Sequence, residues 1–310
     1  MKKDNSIVVS IFMLTYNQEN FIAQTIESIL MQKTNFNFQL VIGEDCSVDK
    51  TRIICKTYAK NNPDKIKLLP KLSNNIGLIN NYIRTIKACN GKYIAICDGD
   101  DYWIDELKLQ KQIDFLEQNK EFDIVYSNCI KLNEKGNQTK GLVINNVKNI
   151  DFDTLIFNNC IPSPTVVFKN IQQLKQFPVW IKDLPYGDWP TYLWVLNNGG
   201  KIYGLVDYTA VYRTSIGVSS KIRSRLSNLL LVEIKILKYI LNDKMFENRI
   251  NVVKKSLAQK QFNLMLAYNR EKKYLKSFRV FILLLNKIDI FKLIKMYLYS
   301  IFISIKKVLN

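Results

Sequence analysis

The chain has 310 residues, 47% of them hydrophobic, enough for one large domain with a sizeable core and an appendage. It carries a formal net charge of +18 and no histidine. That excludes histidine triads, zinc–histidine sites and imidazole bases, and leaves acid–base work to Asp, Glu, Lys, Tyr or Cys.

The first 130 residues alternate between strand-like and helix-like runs. Ile7–Leu14 reads as a strand and Glu19–Gln32 as a helix with apolar spacing at Phe21, Ile22, Ile26, Ile29 and Leu30. Phe38–Gly43 is a second strand, followed by a helix over Lys50–Asn61 with Ser47 or Asp49 as its cap. Ile66–Leu69 is a third strand, and Gly77–Cys89 a helix stopped by Asn90-Gly91. Lys92–Cys97, a helix over Ile104–Asn119 and the strand Asp123–Ser127 complete the series. This order predicts an α/β fold with a mostly parallel sheet flanked by helices, in which ligands bind beyond the carboxyl ends of the strands.

Residues 128–220 are less regular. Lys131–Lys140 reads as a hairpin turning at Glu134-Lys135-Gly136-Asn137, and Thr165–Phe168 as a short strand. A helix follows Pro190 to about Asn197, and Ile202–Val206 and Tyr208–Tyr212 read as two strands. From Lys221 the pattern is helical, in four segments. The expected domains are therefore 1–220, catalytic, and 221–310, a basic helical tail. Residues 1–220 hold 25 Lys/Arg against 22 Asp/Glu, whereas residues 221–310 hold 20 against five, a net of +15. Such a tail calls for an anionic partner. On the last helix Lys292, Lys295, Lys306 and Lys307 share one side, opposite Ile294, Tyr297, Leu298, Ile301, Phe302 and Ile305.

None of the six cysteines forms a C-x-x-C pair, and several lie inside apolar runs, so they are expected to be reduced and buried in a cytosolic protein. Lys2 and Lys3 precede an apolar run, but no small-residue cleavage site follows, so no export signal is expected. No stretch reaches 18 apolar residues, so no spanning helix is expected either.

The chemistry concentrates in Cys97-Asp98-Gly99-Asp100-Asp101-Tyr102-Trp103, which places three carboxylates within four residues after a buried-looking strand. Crowded carboxylates repel unless a cation neutralises them, and oxygen ligands without nitrogen or sulfur suit Mg²⁺ or Mn²⁺. Ions of this kind bridge to phosphates, so the cluster points to a metal–diphosphate site. The alternative reading is a helix start, where acidic residues also gather.

Several motifs in order make the chain resemble the family 2 glycosyltransferases, inverting nucleotide-sugar transferases with a GT-A fold. They are Ser10–Asn17 with its Thr15-Tyr16-Asn17 turn; Asp45-Cys46-Ser47-Val48-Asp49-Lys50-Thr51; Asn75-Ile76-Gly77; Gly91-Lys92-Tyr93-Ile94 leading into Asp98-Gly99-Asp100; Gly187-Asp188-Trp189; and Tyr212-Arg213. The resemblance covers roughly residues 6–220. It implies a nucleotide-diphosphate sugar donor and a Mg²⁺ or Mn²⁺ ion held by Asp100. Asp98 then holds a metal water or accepts from the ribose hydroxyls, and Gly99 lets the ligand approach the backbone. Asp101 supports the metal shell or caps the next helix. Asp45 accepts from the base, Tyr16 stacks on it, Thr15 and Asn17 frame the pocket, and Arg84 reaches the nucleotide or lies on a solvated helix face. Asp188 is the implied base that takes the acceptor proton, with capping of the following helix as the structural alternative. Trp189 stacks on an acceptor sugar or packs, and Arg213 serves the diphosphate. The chain has Thr214 and Ser215 where many relatives supply a histidine, which leaves the third metal ligand open.

These readings place the enzyme in cell-surface polysaccharide synthesis, with a sugar or lipid-linked acceptor. It would be cytoplasmic and peripheral at the inner face of the membrane, on an anionic lipid surface. A metal-dependent nucleotidyltransferase is the first alternative, but the loop after the first strand lacks the Gly-rich, basic character that grips a triphosphate. A basic nucleic-acid-binding protein is the second, but the tail interleaves Lys with aliphatic residues rather than stacking aromatics, so no nucleic-acid partner is expected. The sequence is silent on oligomeric state.

Overall fold

Apolar runs too long and too uniformly hydrophobic for a half-exposed sheet become the centre of this one. A computed structural model of the chain describes residues 6–141, 150–214 and 216–309. Lys2, Lys3 and Ser215 lie outside them. The chain divides into two compact units, one of Met1–Leu155 with Asn159–Ile216, the other of Ile156–Asn158 with Gly217–Asn310.

In the first unit nine strands join one sheet among the described residues. β1 (Ile7–Thr15), β2 (Asn37–Glu44), β3 (Ile66–Leu68) and β4 (Tyr93–Ile96) run parallel in the order β3-β2-β1-β4. The helices α1 (Ile22–Leu30), α2 (Thr51–Asn61) and α3 (Leu78–Ala88) link them. Val9, Ile11, Leu40, Ile42, Tyr93 and Ala95 are fully buried, as a sheet covered on both faces requires. This is the parallel half that the sequence predicts.

The other half is mixed. β8 (Val167–Lys169) runs antiparallel to both β4 and β6 (Phe122–Leu132), and β9 (Lys201–Arg213) lies parallel to β6. β7 (Gln138–Lys140) closes the predicted hairpin, whose turn is held by the bond from Gly136 N to Asn133 O. α5 (Phe152–Leu155) and α6 (Asp188–Leu196) complete the unit. The two strands expected between Ile202 and Tyr212 are one. The ladder slips between Ser127 and Cys129, and Asn128 Nδ2 fills the bulge by donating to Val206 O at 2.9 Å.

Two helices begin later than their apolar spacing predicts, and each delay has a cause. Glu19 is tied to the α2 entry: Glu19 N donates to Asp49 Oδ2 and Lys50 N donates to Glu19 Oε2. α4 (Lys108–Gln118) starts late because Tyr102–Trp103 form a short strand, β5, paired antiparallel to Val211 and Ala210 of β9. Trp103 Nε1 also donates to Pro164 O at 2.8 Å. Neither expected residue caps α2: its N-cap is Lys50, Asp49 accepts from Thr51 N at 2.9 Å from one residue earlier, and Ser47 accepts from Asn17 N.

The second unit holds α7 (Val218–Arg223), α8 (Leu226–Leu241), α9 (Ile250–Arg270), α10 (Tyr274–Leu284) and α11 (Ile290–Leu309). Leu230, Ile234, Leu264, Ala267 and Tyr268 form the α8–α9 core, and Met265, Leu284 and Leu293 tie α9 to α10 and α11. Lys260 of α9 and Glu233 of α8 pair at 2.7 Å, both nearly buried. No helix among the described residues is long and apolar enough to cross a membrane.

Behind β5 lies a fully buried lysine. Lys108 Nζ donates to Gln112 Oε1 at 2.6 Å and stands 4.4 Å from the centre of the Trp103 ring. Burial pulls its pKa from 10.5 down to about 7, opposed by nearby Cys97 and Asp105. The unfolded chain keeps this proton up to its higher pKa and the folded chain does not, so this group makes stability rise with pH across that window. Lys108→Met should flatten that rise by up to about 1.4 kcal/mol per pH unit relative to wild type. Urea unfolding of both proteins at pH 7, 8 and 9 measures the difference; equal slopes would show that the buried amine does not titrate in the fold.

Candidate active site

Because β1, β2 and β4 are parallel, their carboxyl ends open on one rim. The turn after β1 and the turn after β2 lock together there. Asp45 N donates to Thr15 O at 3.1 Å, Asn17 N donates to Ser47 Oγ at 3.0 Å, and Val48 N donates to Asn17 Oδ1 at 3.0 Å. Asn17 and Cys46 both take left-handed backbone angles, φ +52° and +59°, which a close-packed pair of turns demands.

Asp45 is nearly buried, with Oδ1 accepting from Ile76 N at 2.9 Å. Burial raises its pKa, opposed by the Ile76 and Gly77 amides and by Arg84. The Asn75-Ile76-Gly77 loop is folded around it, with Asn75 Nδ2 on Asp45 O and Gly77 N on Asn75 Oδ1. Gly77 has φ +82°, which explains why the sequence has glycine there. Tyr16 stands at the mouth with 45% of its surface exposed. Thr15 is buried and its Oγ1 has no hydrogen-bond partner.

The acidic turn is pinned from four directions. Gly99 N donates to Leu14 O at 2.8 Å, and Thr25 Oγ1 bridges Gly99 O and Asp101 O at 3.0 and 2.6 Å. Asp101 is buried and accepts from Arg213 N at 2.8 Å. The Arg213 guanidinium donates to Asp100 O and to Gln24 Oε1, and lies between the Phe21 and Tyr102 rings at 4.7 and 4.9 Å. Asp101 therefore braces the turn and does not cap a helix, since β5 follows it.

Asp98 and Asp100 remain half-buried with few partners. Asp98 Oδ1 receives only a long bond from Leu14 N, 3.4 Å. Burial first, then the Asp100 charge, and more weakly Asp188, push the Asp98 pKa up to about 7. Burial also raises Asp100, against Arg213 and a hydrogen bond from Gln18. This crowding is what a divalent cation would relieve. The donors are oxygens, as Mg²⁺ or Mn²⁺ requires, and a buried Gln18 Oε1 beside Gly99 has no partner. No cluster of three or more Asp, Glu, Cys or His poised to hold a metal occurs among the described residues. The two carboxylates thus fit an ion whose remaining ligands come from diphosphate and water.

Asp188 is the first residue of α6 and does not cap it; its Oδ2 accepts from Asn159 Nδ2 at 3.4 Å. Its charge is felt by Asp98, Tyr82 and Tyr192, so it belongs to the same site. Tyr82 of α3 holds the start of α6: its hydroxyl pairs with Thr191 Oγ1 at 2.9 Å, and its ring leaves no room for a side chain at Gly187.

One expectation is corrected and two are narrowed. Trp189 is only 1% exposed and donates to Leu155 O at 3.1 Å, so it packs and cannot stack on a sugar. Arg84 does not lie on a solvated helix face: it donates to Glu44 O at 3.0 Å and Pro70 O at 3.3 Å, and its charge acts on the neighbouring Asp45. Arg213 has its guanidinium committed to the acidic turn, on Asp100 O and Gln24 Oε1. Thr214 donates through its amide to Leu132 O. Sequence reasoning missed Gln18, Thr25, Glu44, Tyr82 and Tyr192. Glu44 is buried, paired with Arg52 at 3.1 Å, and could have been found as a charge inside a strand. Tyr192 has a buried hydroxyl with no partner, and nothing in its apolar surroundings marks it.

Comparison with known proteins gives three kinds of match. A family model described as "Glycosyl transferase family 2" matches residues 10–171, more than half of the chain. Among curated proteins, Mb1547 of Mycobacterium bovis, named as uncharacterized, is 30% identical over 207 residues, 66% of this chain. The chain spans 58% of that relative's length. The dTDP-rhamnosyl transferase RfbG of Shigella flexneri is 27% identical over 302 residues, 88% of this chain and 99% of RfbG. Among solved structures, S. aureus TarS 1-349 in complex with UDP-GlcNAc superimposes with a TM-score of 0.61 at 17% identity, over 95% of this chain and 89% of that one. The mannosyltransferase PcManGT from Pyrobaculum calidifontis, in complex with GDP-Man and Mn²⁺, gives 0.56 at 14% identity, over 98% and 87%. These last two establish the GT-A-like fold.

A methyl group at position 99 would come 2.8 Å from Thr15 Oγ1 and 2.5 Å from Gln18 Oε1. Thr15 is fixed in β1 and cannot yield freely. Gly99→Ala should therefore cost about 1–3 kcal/mol, the usual toll of overpacking. Thermal unfolding of the variant against the wild type checks it; an unchanged melting temperature would mean the acidic turn has slack.

Proposed function

Since the chain belongs to glycosyl transferase family 2, we propose that it moves a sugar from a nucleoside diphosphate donor to an acceptor hydroxyl with inversion, in the synthesis of a cell-surface polysaccharide. The observation that carries this is the convergence of Asp45, Asp98 and Asp100 on one rim of the sheet, with the Asp188 charge near enough to act on Asp98. The relatives support the setting: one is named a rhamnosyl transferase, and GgaB of Bacillus subtilis, 36% identical over 118 residues (37% of this chain and 13% of GgaB), is named a minor teichoic acid biosynthesis protein.

In this reading the base lies on Tyr16 and its N–H donates to Asp45, with Thr15 and Asn17 framing the pocket. Asp100, with Asp98, would hold Mg²⁺ or Mn²⁺, and such an ion neutralises the charge that builds on the departing diphosphate. Gly99 lets the acidic turn pack directly against Thr15 and Gln18. Asp188 accepts the proton of the acceptor hydroxyl as its oxygen bonds to the anomeric carbon. The bond from that carbon to phosphate breaks on the opposite face, and its electron pair leaves with the nucleoside diphosphate. Arg213 acts as a positioning residue that fixes the acidic turn. A nucleotidyltransferase is disfavoured by the loop after β1, whose amides are spent on Ser47, Asp49 and Thr51. The charge asymmetry supports a sugar or lipid-linked acceptor at the cytoplasmic face of a membrane.

Asp100→Asn should abolish transfer without unfolding the protein, and EDTA should silence the wild type; release of nucleoside diphosphate from a panel of nucleotide sugars is the assay. Full turnover in excess EDTA would remove the metal from the reaction.

For the base, Asp188→Asn should cut turnover by roughly 10²–10⁴ while donor affinity stays near normal. NMR of the product should show the anomeric centre inverted. A collapse of donor affinity would move Asp188 into the nucleotide pocket, and a retained anomer would refute single displacement.

A further inference from the structure

α10 and α11 form an antiparallel pair whose outer side is apolar and open. Their alignment follows from three contacts: Tyr274 OH with Ser304 Oγ at 2.6 Å, the Phe281 and Tyr297 rings at 4.6 Å, and Leu284 with Leu293 in one core cluster. Around each helix the same order recurs. Ser277 and Leu284 on α10, and Leu293, Ser300 and Ser304 on α11, form the buried rows. At 100° per residue, Phe281 and Tyr297 come next, facing the other helix. Beyond them lie exposed apolar rows, Leu275, Phe278 and Ile282 on α10, and Phe291, Ile294, Leu298, Phe302 and Ile305 on α11. Because the helices run in opposite directions, this shared order turns both rows to the same outer side. Leu275 and Phe291 are each 81% exposed. The expected two-faced α11 is thus three-faced, with its apolar row in solvent.

The exposed lysines and arginine border this strip. Lys276 and Arg279 follow the apolar row on α10, with exposed Leu283 between them, and Lys295, Lys306 and Lys292 follow it on α11, with exposed Tyr299 among them. By the same antiparallel geometry these two basic rows form the outer edges. The Lys307 side chain lies outside the described residues. A soluble surface rarely leaves so many large apolar side chains together. An apolar strip with basic margins suits insertion at the headgroup level, where aliphatic stems and rings enter and the cationic heads stay with phosphates.

We propose that the outer side of the α10–α11 pair is the membrane-docking face, lying flat on an anionic bilayer with eight apolar side chains inserted and the two basic rows on lipid headgroups. It deepens the proposed function by naming the surface that carries the enzyme to a lipid-linked acceptor, and rests on that reading only for its purpose. The charge favours this occupant over a second copy of the chain, since two such faces brought together would oppose basic margin to basic margin.

Vesicle flotation of the full chain tests it without reference to transfer. Binding is expected to vesicles containing phosphatidylglycerol, to weaken in 0.5 M salt, and to be lost on pure phosphatidylcholine. Leu298→Glu with Phe302→Glu should abolish binding, and each Lys→Gln at 292, 295 or 306 should weaken it about fivefold. Circular dichroism and diphosphate release should be unchanged in the Glu variant, because none of these residues lies in the active site. Binding that survives the Glu pair, equal binding to neutral vesicles, or a stable dimer by light scattering that this pair dissolves would each overturn the proposal. A failed transfer assay with intact flotation would sink only the function.

Discussion

Three carboxylates at the end of one buried strand set the conditions for everything near them. Asp98, Asp100 and Asp101 follow β4 within four residues, and burial pushes each pKa up. A fold that keeps them must supply hydrogen bonds and positive charge or give up the charges. Here the backbone does most of the bracing, through Leu14, Thr25 and the amide of Arg213. β9 has to run 13 residues to bring Arg213 back to this point, and β5 exists because Tyr102 and Trp103 pair with that same strand. The mixed half of the sheet is thus the scaffold of the acidic turn.

The same problem recurs at the end of β2. Glu44 is wholly buried, and Arg52 and Arg84 reach it from two different helices, one at its carboxylate and one at its carbonyl. Both arginines spend themselves on structure. What stays uncommitted is the pair Asp98 and Asp100, together with Asp45 held open by the 75–77 loop. Rigidity around them and spare acceptor capacity on them are complementary: preorganised oxygens bind a cation or a donor N–H without first rearranging.

How much of this the sequence disclosed depends on the range of the interactions. The alternation of β1 to α4 and the rim residues were legible, because hydrophobic period and turn chemistry are local. The strand Tyr102–Trp103 was not, since its partner lies over a hundred residues away. The late start of α1 was hidden because Glu19 answers to residues 49 and 50 rather than to its own helix. Trp189 misled for a simpler reason: an aromatic beside a candidate base invites a stacking role, and only packing against α5 reveals that it faces inward. The outward apolar row of α11 was read as a face, but which neighbour it lacked could not be inferred from one helix alone.

The tight coupling of the two rim turns has a practical chemical consequence. Cys55, Cys89, Cys97 and Cys129 are buried, and burial raises the first three thiols far above neutrality, which leaves them inert. Cys46 is only half covered, next to Asp45, and is forced into the left-handed region by the turn it occupies. The chain therefore carries a half-covered thiol at the lip of the pocket proposed for the nucleotide. With Cys160, also half covered, replaced by serine, a maleimide fluorophore attached there would report on occupancy of that pocket.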